Sequence, residues 1–387
     1  MYLKEVMKSA PFSNRLIIDK AERALDFKNE KILLASFEAD YLFYGIKIKE
    51  LLEKNNNSVV ALSLDDKVYK QEVFDSLALG ASKIVCVGNI EIINLLRYFF
   101  SNKHIYYVPT NLVFYASFSR ECYIIKNGNV LSKQAELPTV IVDIDIFPKL
   151  KLRNIADSFC SVAVSSFWKI DYYLYSIING IAQNERAKTA IDEAHKVLSK
   201  INSNNCYEIL LSCQIWLSLA VYLDSRLDTL TDLSVGIIFN RLSQSTMEEC
   251  RFFAVEYLLK LYKATLQVSL EDNLIYPDYL TNILRLTELF DSDKSEYLET
   301  HKVIKDSYLA SALRRVRESG VEAMLDSLIK VLPSYKNAYK NLYKARKVRA
   351  KFEIEDSLKA ISLAGVTSKS YLKLLFDSGI LQLIEKI

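Results

Sequence analysis

The stretch from Gly80 to Ser119, GASKIVCVGNIEIINLLRYFFSNKHIYYVPTNLVFYASFS, leaves room for little except strand, turn, helix, strand and loop. The run Lys83 to Val87 is short, almost wholly apolar and closed by Gly88, the pattern of a strand buried on both faces of a parallel sheet. Ile92, Ile93, Leu95, Leu96, Phe99 and Phe100 then recur at helical spacing. That spacing predicts a helix with one face on the sheet and Asn94 and Arg97 on the opposite side. A second strand, His104 to Val108, is stopped by Pro109. The loop beyond it leaves from the carboxyl edge of the sheet, where open α/β sheets place their ligands.

The flanking segments extend the same alternation. Lys31 to Phe37 (KILLASF) reads as a buried strand, and a helix over 40–54 puts Tyr41, Leu42, Tyr44, Ile48, Leu51 and Leu52 on its apolar side. A strand at Ser58 to Leu64 completes a βαβ unit, Asp65 and Asp66 follow it, and a helix over 68–79 leads into the opening stretch. Residues 1–30 give only a short helix after Pro11. Downstream, Cys122 to Ile125 and Val130 to Leu131 flank an Asn127-Gly128 turn, a hairpin signal. Pro138 to Asp145 (PTVIVDID) is a further apolar strand.

After Pro148 the strand-like runs cease and amphipathic helices follow over 156–182, 186–202, 206–224, 246–267, 279–290, 303–318, 321–332 and 335–362. The expected architecture is therefore an α/β domain with a parallel sheet over residues 1–150, then an all-α domain over 151–387.

With 387 residues, half of them hydrophobic, the chain is long enough for two full cores. Lysine plus arginine number 50 against 47 acidic residues, so no strong field points to nucleic acid. The six cysteines (86, 122, 160, 206, 213 and 250) are scattered without zinc spacing and read as reduced core residues. No apolar run has the length of a membrane span, so the expectation is a cytoplasmic protein without membrane insertion, whose partner is a small molecule or another protein. Glycine is scarce at 9 residues, whereas a dinucleotide site needs several close together for the backbone to reach a pyrophosphate.

The motifs Gly88-Asn89-Ile90-Glu91, Ile93-Asn94 with Arg97, Val108-Pro109-Thr110, and the Pro138 to Asp145 strand occur in one order and at consistent distances. In this the chain resembles the superfamily of glycerol-1-phosphate dehydrogenases, glycerol dehydrogenases, iron-containing alcohol dehydrogenases and dehydroquinate synthases. The resemblance covers about residues 30–265 and implies a dehydroquinate synthase-like fold with the site in a cleft between the two domains. It implies Gly88, Asn89, Asn94, Arg97 and Thr110 as the positions facing NAD(P), with Asp65 or Asp66 at the adenosine ribose, although an Asp pair at such a turn more often caps the following helix. It also implies self-association into a homo-oligomer.

Metal-dependent members hold zinc or iron with one Asp and two His. Asp157 matches the first ligand, although both glycines that flank it in the family are replaced. The windows for the histidines are Ser234 to Asn240 and Thr246 to Cys250, and neither contains one. Glu248 or Glu249 offers an oxygen ligand instead, and Asp157 with Glu248 suits magnesium or calcium better than zinc. The competing expectation is that Asp157 caps a helix, the glutamates are solvated, and His195 and His301 are exposed helix residues.

Three departures bear on chemistry. Ile90 puts a branched side chain where the family has glycine, and Glu91 puts a charge in the helix's first turn, taking its N–H groups and repelling a diphosphate. Tyr115 replaces an acid in the loop after Thr110. A basic segment, Tyr335 to Phe352, carries Tyr335, Tyr339 and Tyr343 at four-residue intervals, the pattern of a helix packed on its neighbours with its charges in solvent, the alternative being a surface for an anionic partner or RNA. The expected function is a divergent glycerol-1-phosphate dehydrogenase-like protein, a pseudoenzyme with dehydrogenase activity lost or weakened and a binding role. The alternatives are an active NAD(P)-dependent oxidoreductase on a phosphorylated polyol with an altered metal set, and a metal-free enzyme of another type. NAD(P) and a divalent metal follow only if the family chemistry is kept.

Overall fold

The computed structural model describes residues 10–64, 80–126, 128–146, 149–202, 204–229, 231–243, 245–268, 278–300, 306–342, 354–368 and 370–381. Asp65, Asp66, the helix expected over 68–79, His301 and Tyr343 lie outside them. The chain divides into two compact units. The first comprises Met1–Ile124, Leu131–Ser158 and Lys196–Ser225, and the second Ile125–Val130, Phe159–His195 and Arg226–Ile387.

The first unit is built on a parallel six-stranded sheet in the order β1-β8-β5-β4-β2-β3. Its strands are β1 (Leu16–Asp19), β2 (Lys31–Phe37), β3 (Ser58–Leu64), β4 (Lys83–Gly88), β5 (Ile105–Pro109) and β8 (Thr139–Asp143). β6 (Glu121–Lys126) and β7 (Asn129–Gln134) form the separate hairpin. The central strands β2 and β4 are buried along nearly their whole length, as their unbroken apolar sequences require. β3 pairs only with β2 and exposes most of its side chains at the edge.

Between β2 and β4 the order of connection reverses, because β2 leads to β3 on one side while β4 returns on the other. That reversal makes a switch point at the carboxyl ends of Phe37 and Gly88.

Several local expectations are corrected. After Pro11 the short helical turns Ser13–Arg15 and Ala21–Ala24 are present, but between them lies a strand the sequence did not indicate, β1, four residues long and an edge strand paired with β8. The helix expected over 40–54 is present and carries a π turn, Tyr41–Gly45, ahead of its regular part α1 (Ile46–Lys54). The wider turn displaces the apolar face by a residue, so Leu42 is exposed while Tyr44 is buried. In α2 (Ile90–Phe99), Asn94 and Arg97 are not on an open face but only 2% and 1% exposed. The segment at the base of the hairpin covers that side, and Arg97 holds its carbonyls. Phe114, Tyr115 and Phe118 are buried within the first unit, where the turn Tyr115–Phe118 packs on helix Cys206–Leu223.

Downstream, α3 (Leu152–Asn179), α4 (Glu185–Leu198) and α5 (Cys206–Leu223) precede α6 (Thr231–Leu242), α7 (Met247–Gln267), α8 (Tyr279–Phe290) and α9 (Lys294–Thr300). Then come α10 (Asp306–Glu318), α11 (Val321–Leu342), α12 (Ile354–Thr367) and α13 (Tyr371–Asp377). α5 is the one described helix long and apolar enough to cross a membrane, and most of it is buried in the protein. α6 escapes periodicity analysis because Thr231 to Phe239 are all buried, leaving no polar face to define a stripe. α11 runs through Pro333, where a break was expected. Pro333 is exposed, so water can satisfy the carbonyl that loses its N–H partner. All six cysteines are buried, and none of them forms a disulfide.

In the second unit a polar network crosses the core. Asp171 accepts from the Thr231 N–H and the Tyr262 hydroxyl, both at 2.8 Å, and Thr231 Oγ1 bonds Ser370. Burial raises Asp171 to about 6 despite those hydrogen bonds. Because the folded value lies above the unfolded one, the native state holds the extra proton between them, and stability falls as pH rises through about 4 to 6. Relative to Asp171→Asn, the wild type should gain roughly 2 kcal/mol between about pH 7 and pH 4. Urea denaturation of both proteins across that range checks this, and a constant difference would refute it.

Candidate functional site

At the switch point, the chain after β2 bends through Glu38–Asp40 and brings the Asp40 carboxylate over β4. Thr110, just past β5, donates its hydroxyl to Asp40 Oδ1 at 2.6 Å and its N–H to the Gly88 carbonyl at 2.9 Å. Tyr107 also donates to that carbonyl, at 3.2 Å. Gly88 has φ +156°, and a Cβ on it would lie 2.6 Å from Ile92 Cγ2 and 3.0 Å from Asp40 Oδ2. Glycine is therefore required here by close approach. Burial, and after it the Asp40 charge, pushes the Cys86 thiol well above its ordinary value, so it stays protonated beneath the site.

Asn89 caps α2. Its Oδ1 accepts from the N–H groups of Glu91 at 3.0 Å and Ile92 at 3.2 Å. The sequence assigned those groups to the Glu91 carboxylate, but Asn89 precedes the helix and its short side chain reaches them first. The Ile90 side chain is buried in the first unit's core.

Arg97 gives Nε to the Glu136 carbonyl at 3.1 Å and Nη2 to those of Ser119 at 2.6 Å and Ala135 at 3.4 Å. Desolvation lowers its pKa to about 10. Arg97 Nη1 and Asn94 Oδ1 are buried without a hydrogen-bond partner.

Asp157 lies in the second turn of α3, 7% exposed, and so is not a helix cap. Its neighbour Ser158 donates to the Leu112 carbonyl at 3.1 Å, tying this turn to the loop after Thr110. Phe114 N–H in that loop donates to Gln214 of α5 at 3.3 Å. Asp40, which completes the carboxyl edge, was missed as a site residue. The available signal was an acid just beyond a buried strand of a βαβ unit.

In the second unit, Glu248 is half-buried in the first turn of α7, and desolvation pushes it above the usual carboxylate range. Glu249 is not solvated: at 5% exposure it completes a capping box with Thr246 and accepts from Tyr339 at 2.8 Å. His195 is not exposed either. It accepts from Tyr335 at Nδ1, 2.8 Å, and Nε2 meets Ser165 Oγ at 2.9 Å, whose own proton goes to the Val162 carbonyl. Burial lowers it to about 4 and keeps it neutral. Tyr335 and Tyr339 thus pack inward as expected. Among the described residues no three His, Cys, Asp or Glu side chains come together as metal ligands, so the donor set does not fit the family's metal.

The architecture matches solved dehydrogenases over nearly the whole chain. NADH-dependent butanol dehydrogenase A of Thermotoga maritima superposes with a TM-score of 0.58 at 9% identity, covering 94% of this chain and 89% of that one. An archaeal halo-thermophilic Red Sea brine pool alcohol dehydrogenase gives 0.56 at 10% identity, covering 95% and 96%. Glycerol dehydrogenase of Schizosaccharomyces pombe gives 0.50 at 15% identity, covering 86% and 92%. The chain has the glycerol and alcohol dehydrogenase fold. No protein-family model matches it, and no curated protein matches it significantly by sequence. Within this dehydrogenase fold the parallel sheet followed by helices is kept, while the residues at its carboxyl edge are those described above.

Arg97→Met removes donors from three backbone carbonyls at once and should cost about 3 kcal/mol of stability by urea denaturation. A loss below about 0.5 kcal/mol would show that those carbonyls find other partners.

Proposed function

We propose that this is a divergent glycerol-1-phosphate dehydrogenase-like protein whose dehydrogenase activity is lost or weakened, and which acts by binding a small-molecule or protein partner. The observation that carries this reading is the Asn89 cap. A diphosphate on this fold needs the free N–H groups at the start of α2 and the positive end of its dipole. Here Asn89 occupies the N–H groups of Glu91 and Ile92, and two carboxylates, Asp40 and Glu91, flank the position. One unit charge about 5 Å from another opposes it by roughly 3 kcal/mol at an effective dielectric near 20. Solvent screening leaves only part of that for the exposed Glu91.

The alternative is an active NAD(P)-dependent oxidoreductase on a phosphorylated polyol. Gly88 favours it, since the close backbone approach at the switch point is retained.

Calorimetric titration of the purified protein with NADH and NADPH decides between the two. The expected outcome is no saturable binding for the wild type at nucleotide concentrations below about 0.1 mM. Asn89→Gly with Glu91→Ser frees the N–H groups and removes one charge, and should improve affinity at least about tenfold. Micromolar binding by the unmodified protein would overturn the proposal and favour the oxidoreductase.

A further inference from the structure

The helix pair α6 and α7 encloses a guanidinium. Arg251 of α7, 5% exposed, sends Nε to Asp232 Oδ2 at 2.7 Å, and its two terminal nitrogens to Asp228 Oδ1 at 3.3 and 3.4 Å. The Trp168 indole N–H donates to the same Asp232 oxygen at 3.4 Å, and the guanidinium carbon lies 5.6 Å from the centre of the Trp168 ring. The opposing backbone is shaped for this side chain: a Cβ on Gly236 of α6 would lie 2.5 Å from Arg251 Cγ.

These helices contain the windows Ser234 to Asn240 and Thr246 to Cys250, where imidazole ligands were expected and none is present. Asp232 Oδ1 is buried without a hydrogen-bond partner. Asp228 and Asp232 are two carboxylates, and among the described residues no third His, Cys, Asp or Glu joins them as a ligand group, where protein metal sites use three or more ligands. A divalent ion placed there would also meet the fixed positive charge of Arg251 in a desolvated environment.

We infer that Arg251 is the resident cation of this helix pair, supplying from the chain itself the counter-charge for Asp228 and Asp232, so that the second unit is complete without a metal ion. The side chain is suited to the task. Its planar fork reaches two carboxylates at once, its charge is retained when buried, and its face stacks on an indole.

The inference does not depend on the nucleotide reading. Metal content and unfolding report on α6 and α7, and nucleotide titration reports on the carboxyl edge of the sheet, so either can fail alone.

The test uses the full chain. Zinc, iron, manganese, magnesium and calcium are measured by plasma mass spectrometry before and after dialysis against EDTA, with thermal unfolding followed by circular dichroism in both states. Less than about a tenth of an equivalent of each metal and a Tm unchanged within about 1 °C are expected. Stoichiometric metal whose removal lowers Tm by several degrees overturns the inference.

Variants address the counter-charge directly. Arg251→Met leaves two buried carboxylates without their cation and should lower Tm by about 10 °C. Adding Asp228→Asn and Asp232→Asn to it should recover at least about half of that loss. If the single variant yields no folded protein, a folded triple variant is the supporting result. A triple variant no more stable than the single one overturns the assignment.

Discussion

A Cβ at Gly88 would lie 2.6 Å from Ile92 and 3.0 Å from Asp40, so the junction at the carboxyl edge of the sheet exists only because residue 88 has no side chain. With that space open, the turn after β2 lowers Asp40 onto the end of β4, Thr110 closes on Asp40 from β5, and α2 starts directly above the strand. Three strands and a helix are thereby locked at the place where parallel sheets of this kind present their ligand sites. The same closure brings a carboxylate to that place, and Asn89 then withdraws the helix N–H groups that would answer a phosphate.

Buried charge is handled differently in the two units. In the first, Arg97 has only backbone carbonyls as acceptors, and its lowered pKa reflects desolvation that those dipoles do not fully offset. In the second, Arg251 meets two carboxylates and an indole, while Asp171 is held by an N–H and a hydroxyl. A carboxyl group in that position keeps its proton more readily than it would in water, whereas the carboxylates of Asp228 and Asp232 have a cation built in beside them.

Much of the framework was legible from residue pattern. KILLASF and KIVCVG announced central strands because a strand covered on both faces must be apolar throughout. The α2 stripe, the hairpin of β6 and β7 and most of the later helices followed from periodicity and turn signals. Where pattern failed, a local rule met a tertiary override. Asn94, Arg97 and His195 looked like surface residues because polarity was taken for exposure, yet each is enclosed by a segment distant in sequence.

The sequence by itself determined the order of elements, the position of the glycine at the end of β4, and the absence of imidazole from the windows where ligands were expected. All three are properties of residue type and spacing, which need no partner to be read. Only the tertiary structure decided that Asp40 lies against Gly88, that Asn89 rather than Glu91 caps α2, and that Arg251 fills the space opposite Gly236. Each of these joins groups by distance and direction across a strand end, a helix start or a helix pair. Hydrogen bonds and buried charges act only at such separations, which chain order does not encode.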